Sequence, residues 1–181
     1  LEGAGWVLGS DGVRVKDGQR LAFTLSYPTG NPVRMDSAII IKDNLTEVGF
    51  DVKLDIMEFA TLSDKVYQDN DFEAYLMGWG LSADPDAAVI WSPDSAWNAV
   101  GFDHPDNARL LREGVSVVSQ EDRKPIYQEW QALLYEEAPY VWLYAGNEAY
   151  VYNSKLKEFK PNPFGIWWDV HLWNWEDEAA E

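Results

Sequence analysis

Trp79 stands between Gly78 and Gly80, and Ser82, Asp84, Asp86, Trp91, Asp94, Trp97 and Asn98 follow it at short intervals. Indole offers a flat apolar face and one N–H donor, so it stacks on sugars, peptide groups or bases. Hydroxyl, carboxylate and amide groups beside such faces add direction to the recognition. This is binding chemistry. Bond-breaking chemistry would need more. Asp84 with Asp86, or Glu136 with Glu137, form carboxylate pairs of the kind a glycosidase uses as acid and base. No nucleophile–base constellation accompanies them. Neighbouring carboxylates in so acidic a chain read as solvated surface, and Asp84 before Pro85 reads as a residue that caps or braces a turn. Trp79, Ser82, Asp84, Trp91, Trp97 and Asn98 are therefore the candidate ligand-binding residues, with no catalytic residue and no metal ligand among them. The competing reading of Trp79 is a core tryptophan that closes a strand.

The elements around this segment set its place. Residues 72–78 alternate Phe72, Ala74, Leu76 and Gly78 with Glu73, Tyr75 and Met77, which predicts a strand ending at Trp79. Gly78 and Gly80 free the backbone beside the indole, and Pro85 forces Asp84 out of helical conformation. Upstream, Asp11-Gly12 and Asp17-Gly18 are turn signals around a short strand at Val13–Lys16. Leu21–Tyr27 and Asp51–Ile56 alternate as strands. Between them, Ser37, Ala38, Ile41, Leu45 and Val48 recur at helical spacing, with Gly49 suited to the C-terminal cap. A second helix is expected from Thr61 or Ser63 to Gln68. Downstream, helices are expected between Pro105 and Ser119 and over 122–137, the latter with two competing starts: Ser119 as a cap, or a turn after Asp122 that suits Pro125. Tyr140–Tyr144 and Ala149–Tyr152 read as strands. The strand–helix–strand–helix–strand order predicts an α/β fold with a mostly parallel central sheet flanked by helices.

Composition narrows the function classes. The 181 residues carry a net charge of −17, against the basic surface that nucleic acid or anionic lipid requires. The chain has no cysteine, which removes disulfides and thiol chemistry. His104 and His171 fall in no metal-ligand spacing. No apolar run approaches the ~20 residues that cross a bilayer, and no leader pattern is visible. Of the ten tryptophans, Trp130 and Trp142 lie on periodic elements and read as core, and Trp6 as packing at a helix end. Trp167, Trp168, Trp173 and Trp175 are open to either role. An acidic end from Trp175 reads as a solvated tail.

Asp11-Gly12-Val13-Arg14-Val15-Lys16-Asp17-Gly18-Gln19-Arg20-Leu21 resembles the hairpin of the family 5 solute-binding proteins of peptide-type ABC importers. The likeness continues through Glu58–Thr61, the Asp71–Asp86 block, Gly101-Phe102-Asp103-His104-Pro105, Arg123–Tyr127 and Glu137-Ala138-Pro139, in the family's order. The resemblance implies one lobe of a periplasmic-binding-protein-like type II fold: residues 1–181 as the C-terminal ligand-binding lobe, with 160–181 a return segment and tail. It implies capture of a small solute, an oligopeptide first, between two lobes and its delivery to an ABC permease, with no cofactor and no reaction. The implied partners are the solute, the permease and the N-terminal lobe of the same polypeptide. The implied setting is periplasmic or extracellular, with a tether in a segment preceding Leu1. Trp79 matches the family's cleft-bordering tryptophan. Many peptide binders carry an aspartate three residues later to pair with the peptide's ammonium; Ser82 stands there, and Asp84, two residues further on, would have to serve instead. Oligosaccharides and nickel complexes are the alternative solutes within the family. A glycan hydrolase or a carbohydrate-binding module are the alternatives outside it, the latter disfavoured by the helical periods.

Overall fold

The computed structural model describes residues 1–80, 82–163 and 165–176. The chain forms two compact units, one of Leu1–Trp79 with Ala87–Arg109, the other of Gly80–Asp86 with Leu110–Glu181.

The first unit opens with a small antiparallel sheet of β1 (Val7–Leu8), β2 (Arg14–Lys16) and β3 (Gln19–Arg20). Asp17 and Gly18, both at positive φ, make the two-residue turn between β2 and β3, the backbone that Asp-Gly favours. The main sheet is wholly parallel, in the order β5 (Asp51–Met57), β4 (Ala22–Pro28), β6 (Ala74–Tyr75). Leu25, Tyr27, Val52 and Leu76 pack with Ala38, around which Ile41 and Leu45 lie. These last three share one face of α1 (Pro32–Glu47) because they are three and four residues apart. The Asn31 side chain caps α1 by accepting from the Arg34 N–H, and Pro32 sits where its missing donor costs nothing. α2 (Phe59–Tyr67) buries Leu62 and Val66 and packs against β4. Gly49, just past α1, has φ 96°, and a Cβ there would come within 2.7 Å of Arg14 Cγ. Arg14 crosses this point to donate to the Val48 and Trp6 carbonyls, strapping the hairpin to the end of α1. A short helix α3 (Ala88–Trp91), which the periodicity does not signal, interrupts the loop after Trp79.

The parallel sheet, the helices at 32–47 and 59–67 and the strand at 51–57 bear out the βαβαβ reading. The strand expected over 72–78 is much shorter. On β4 alternate residues face each neighbour: Leu21 C=O and Thr29 N–H bond towards β5, while Ser26 C=O accepts from Leu76 N–H. The next β4 residue on that side is Pro28, which has no N–H to give, so the ladder ends. At the other end the Thr24 N–H donates to the Glu73 carboxylate at 2.7 Å, a side chain standing where a strand backbone would be.

The second unit is built on the later turns of α4 (Pro105–Ser116) and on α5 (Gln120–Glu137). Leu110, Leu111, Tyr127, Trp130 and Leu134 are buried. Ser119 caps α5 by accepting the Asp122 N–H, and α5 runs on through Pro125, so the earlier of the two expected starts is the one used. A pair of short antiparallel strands, β7 (Leu156–Lys157) and β8 (Asn174–Trp175), closes the unit. Tyr152, Phe159, Trp173 and Trp167 pack ring against ring in that succession. The strands expected at 140–144 and 149–152 do not form; those residues take no regular structure. Strand-like alternation needs a neighbouring backbone to pair with, and none lies alongside among the described residues, so Val141, Trp142, Leu143, Tyr144 and Val151 are exposed. This also corrects the core reading of Trp142. The expected acidic tail lies outside the described residues from Asp177 onward.

Candidate functional site

Trp79 ends the stretch that leaves the sheet after β6. Its ring centroid lies 6.0 Å from that of Trp97 with the planes at 85°, and 6.2 Å from that of Tyr67. Tyr67 and Trp97 meet edge to face at 4.9 Å. These spacings suit the positive edge of one ring against the negative face of another. Trp79 is 39% exposed and Trp97 43%. The partial exposure expected of a rim aromatic is found, and the core reading of Trp79 is not. Neither Gly78 nor Gly80 has the positive φ that would demand glycine. Their contribution is room: nothing lies within 4 Å of where a Gly80 side chain would begin.

Trp97 is held by its loop. Its N–H donates to Ser95 Oγ, and that hydroxyl donates in turn to the Val89 carbonyl at the start of α3. Asn98, 8% exposed, spends its amide on this loop: Nδ2 donates to the Phe102 and Ser92 carbonyls, and Oδ1 accepts from the Phe102 N–H. Trp91 is 4% exposed and packs edge to face on Phe102, while its carbonyl accepts from the buried Asn107 side chain at 2.7 Å. Trp91 and Asn98 thus build the frame of the loop, and Trp79 and Trp97 are its solvent-facing members. Tyr67 was not foreseen. It follows the buried Val66 by one residue and so lies off the face that Leu62 and Val66 bury, with no chemical signal in the sequence; only the fold turns the last turn of α2 towards Trp97.

In the second unit, Ser82 Oγ donates to the Asp84 carbonyl at 2.7 Å. Asp84 Oδ1 accepts the Asp86 N–H at 2.9 Å, the turn-bracing role expected of an aspartate before proline. Arg123 grips the same carboxylate with two N–H groups, Nη1 to Oδ2 at 3.0 Å and Nη2 to Oδ1 at 2.8 Å. Arg123 is itself fixed, through Nε to the Gly114 carbonyl at 2.8 Å and Nη2 to the Tyr127 hydroxyl at 3.1 Å. The hydrogen bonds from Arg123, then from Asp86, hold the Asp84 carboxyl down at about 2, and the carboxylate raises Arg123 above its ordinary value. Both groups stay charged at neutral pH. Among the described residues, no group of three or more His, Cys, Asp or Glu side chains could hold a metal, and no helix is long and apolar enough to cross a membrane.

Comparison with known proteins bears on the family to which the chain belongs. Residues 1–100 match the model of the bacterial extracellular solute-binding proteins, family 5, middle region. The oligopeptide-binding protein AppA of Bacillus subtilis is 29% identical over 178 residues, 96% of this chain and 33% of its own length. The probable D,D-dipeptide-binding periplasmic protein DdpA of Escherichia coli is 25% identical over 152 residues, 78% of this chain and 28% of its own. Among solved structures, AppA in complex with a nonapeptide superposes with a TM-score of 0.78 at 27% identity, covering 98% of this chain and 36% of that one. NikZ of Campylobacter jejuni in complex with Ni(L-His) gives 0.75 at 25% identity, over 95% of this chain and 37% of that one. These likenesses bear out the type II periplasmic-binding-protein fold. The chain spans about a third of the length of the curated relatives it matches. With more than half its residues under the family model, the chain belongs to the bacterial extracellular solute-binding proteins of family 5.

Proposed function

We propose that this chain is the C-terminal ligand-binding lobe of a two-lobed receptor that captures an oligopeptide and hands it to the permease of an ABC importer. The observation that carries the reading is the Trp79–Trp97–Tyr67 corner, two half-exposed indoles at the end of the parallel sheet in a chain of this family. Ligands of open α/β sheets bind beyond the carboxyl ends of the strands, and Trp79 follows the last of them. Flat aromatic faces stack on peptide groups and apolar side chains without reading one particular sequence. Ser82 and Asp84 belong to the same reading as the turn that follows Trp79 in the sequence; Trp91 and Asn98 support it from within the loop. The exposed apolar residues of 141–144 fit a lobe that the rest of a longer polypeptide covers. The receptor works outside the cytoplasm, tethered or free, and binds by closure of its lobes on the solute without making or breaking bonds. Titration calorimetry of the complete receptor with an oligopeptide mixture, an oligosaccharide and a histidine–nickel complex tests it. Heat with the peptides alone supports the reading, and binding of either other solute alone replaces it. Hydrolysis of a bound peptide or glycan would make the protein an enzyme instead.

A further inference from the structure

An aspartate in the turn after a cleft tryptophan is where a receptor would read a solute's positive charge. In this chain that carboxylate is already occupied. A carboxylate accepts about four hydrogen bonds, and Asp84 spends three of them on Arg123 and on the Asp86 N–H. The approaching cation would meet an ion pair with no net charge and a guanidinium in contact with the same oxygens. Arg123 cannot turn away to make room. Its Nε is bonded to the Gly114 carbonyl, its Nη2 to the Tyr127 hydroxyl, and its guanidinium carbon lies 5.3 Å from the centre of the Tyr127 ring. Its backbone sits in the first turns of α5 behind the Ser119 cap. Removing the carboxylate from such a partner leaves a half-buried cation unpaired, which costs more than an exposed ammonium would return.

We propose that Asp84 is a positioning residue and not a charge receptor: Arg123 consumes its charge, so Asp84 braces the Ser82–Asp86 turn and does not itself select for a terminal ammonium. The consequence is a receptor that treats free and N-capped peptides alike at Asp84. The inference rests on the receptor reading above.

The test is calorimetry of the complete receptor with one oligopeptide and its N-acetylated twin, for the unaltered protein, Asp84→Asn and Arg123→Gln. Specificity is a ratio of affinities, and Asp84→Asn is expected to weaken the two peptides together, leaving the ratio of their Kd values within about twofold of the unaltered one. Arg123→Gln frees the carboxylate and is expected to shift that ratio towards the free peptide. Loss of about tenfold or more in that ratio for Asp84→Asn alone would overturn the inference, since a charge-assisted bond to the ammonium is then missing. If the unaltered receptor binds neither peptide, it is the oligopeptide reading that fails. Thermal unfolding of the two single variants and the double variant then decides the positioning role. A double variant that melts no lower than the worse single supports it, and additive losses overturn it.

Discussion

Trp79 and Trp91 lie twelve positions apart and do different work. Trp79 leaves more than a third of its surface in solvent, and Trp91 is closed in against Phe102. In the complete receptor, Trp79→Ala is expected to weaken solute binding by about tenfold or more, as loss of a stacking face does. Its effect on stability should stay below that of a buried aromatic. Trp91→Ala should cost about 3–5 kcal/mol, the usual range for emptying a core aromatic site. Binding titrations and denaturant melts on both variants check this, and a Trp79 variant that loses stability but keeps its affinity contradicts it. Asp84 carries a prediction in pH. Its carboxyl is held at about 2 in the folded chain against an ordinary 3.8, by Arg123 first and the Asp86 N–H second. A depressed carboxyl binds its proton more weakly folded than unfolded, so its stabilisation is present above the unfolded value and lost as the pH falls towards the folded one. The difference in Tm between the unaltered chain and Asp84→Asn should be constant down to about pH 4.5 and shrink between about pH 4 and 2. A difference that does not change over that range argues against the pair. Comparing the two proteins removes the background of Asp11, whose carboxyl is likewise lowered by Arg20.

At the scale of elements, α4 and α5 meet where one has no side chain. A Cβ on Gly114 would lie 2.6 Å from Cζ of Tyr127, closer than atoms tolerate. Gly114→Ala would ordinarily favour a helix by about 1 kcal/mol. Here it is expected to destabilise by about 1–3 kcal/mol, because the tyrosine ring or the helix must shift. The shift would also pull on Arg123, which bonds both the Gly114 carbonyl and the Tyr127 hydroxyl. Urea unfolding of Gly114→Ala, alone and with Tyr127→Leu, separates the causes: the double variant should be less damaged than the sum of the singles, and simple additivity would mean that no clash exists. The same elements show how one residue sets an edge. Pro28 ends the β4–β6 ladder by lacking a donor, and the chain that follows is released from the sheet to carry Trp79.

For the molecule as a whole, the chain corresponds to about a third of its curated relatives, and in the receptor proposed above a solute enclosed by two lobes would draw contacts from both. Ligand pockets bury most of a ligand's surface, and burial strengthens each polar contact. This chain alone is therefore expected to bind an oligopeptide at least about a hundredfold more weakly than the complete receptor, a gap of roughly 2.7 kcal/mol. Calorimetry on both proteins measures it, and equal affinities would mean that the site is complete in this chain. The net charge of −17 adds no partner by itself; at physiological salt such a field is screened within about 8 Å, so it bears on solubility before it bears on solute choice.

Local patterns determined much of this protein. Period-two and period-3.6 repeats placed β4, β5 and α1 within a few residues of where they lie, because those elements bury one face and their residues must alternate to match it. Asp-Gly marked the hairpin, and Asp84-Pro85 marked a braced turn. The order of short motifs pointed to the family. What the tertiary structure decided depended on partners distant in sequence. The same alternation that makes β4 a strand leaves 140–144 irregular, since alternation supplies a buried face and not a neighbour to pair with. The 72–78 strand was cut to two residues by Pro28 on the neighbouring strand and by the Glu73 carboxylate. Three tryptophans of one loop region looked alike in sequence, and packing on Phe102 or on Tyr67 separated the buried one from the two exposed. Asp84 could be named from its own segment. Its charge was settled by Arg123, thirty-nine residues away, because electrostatic pairing follows distance in space and not position along the chain.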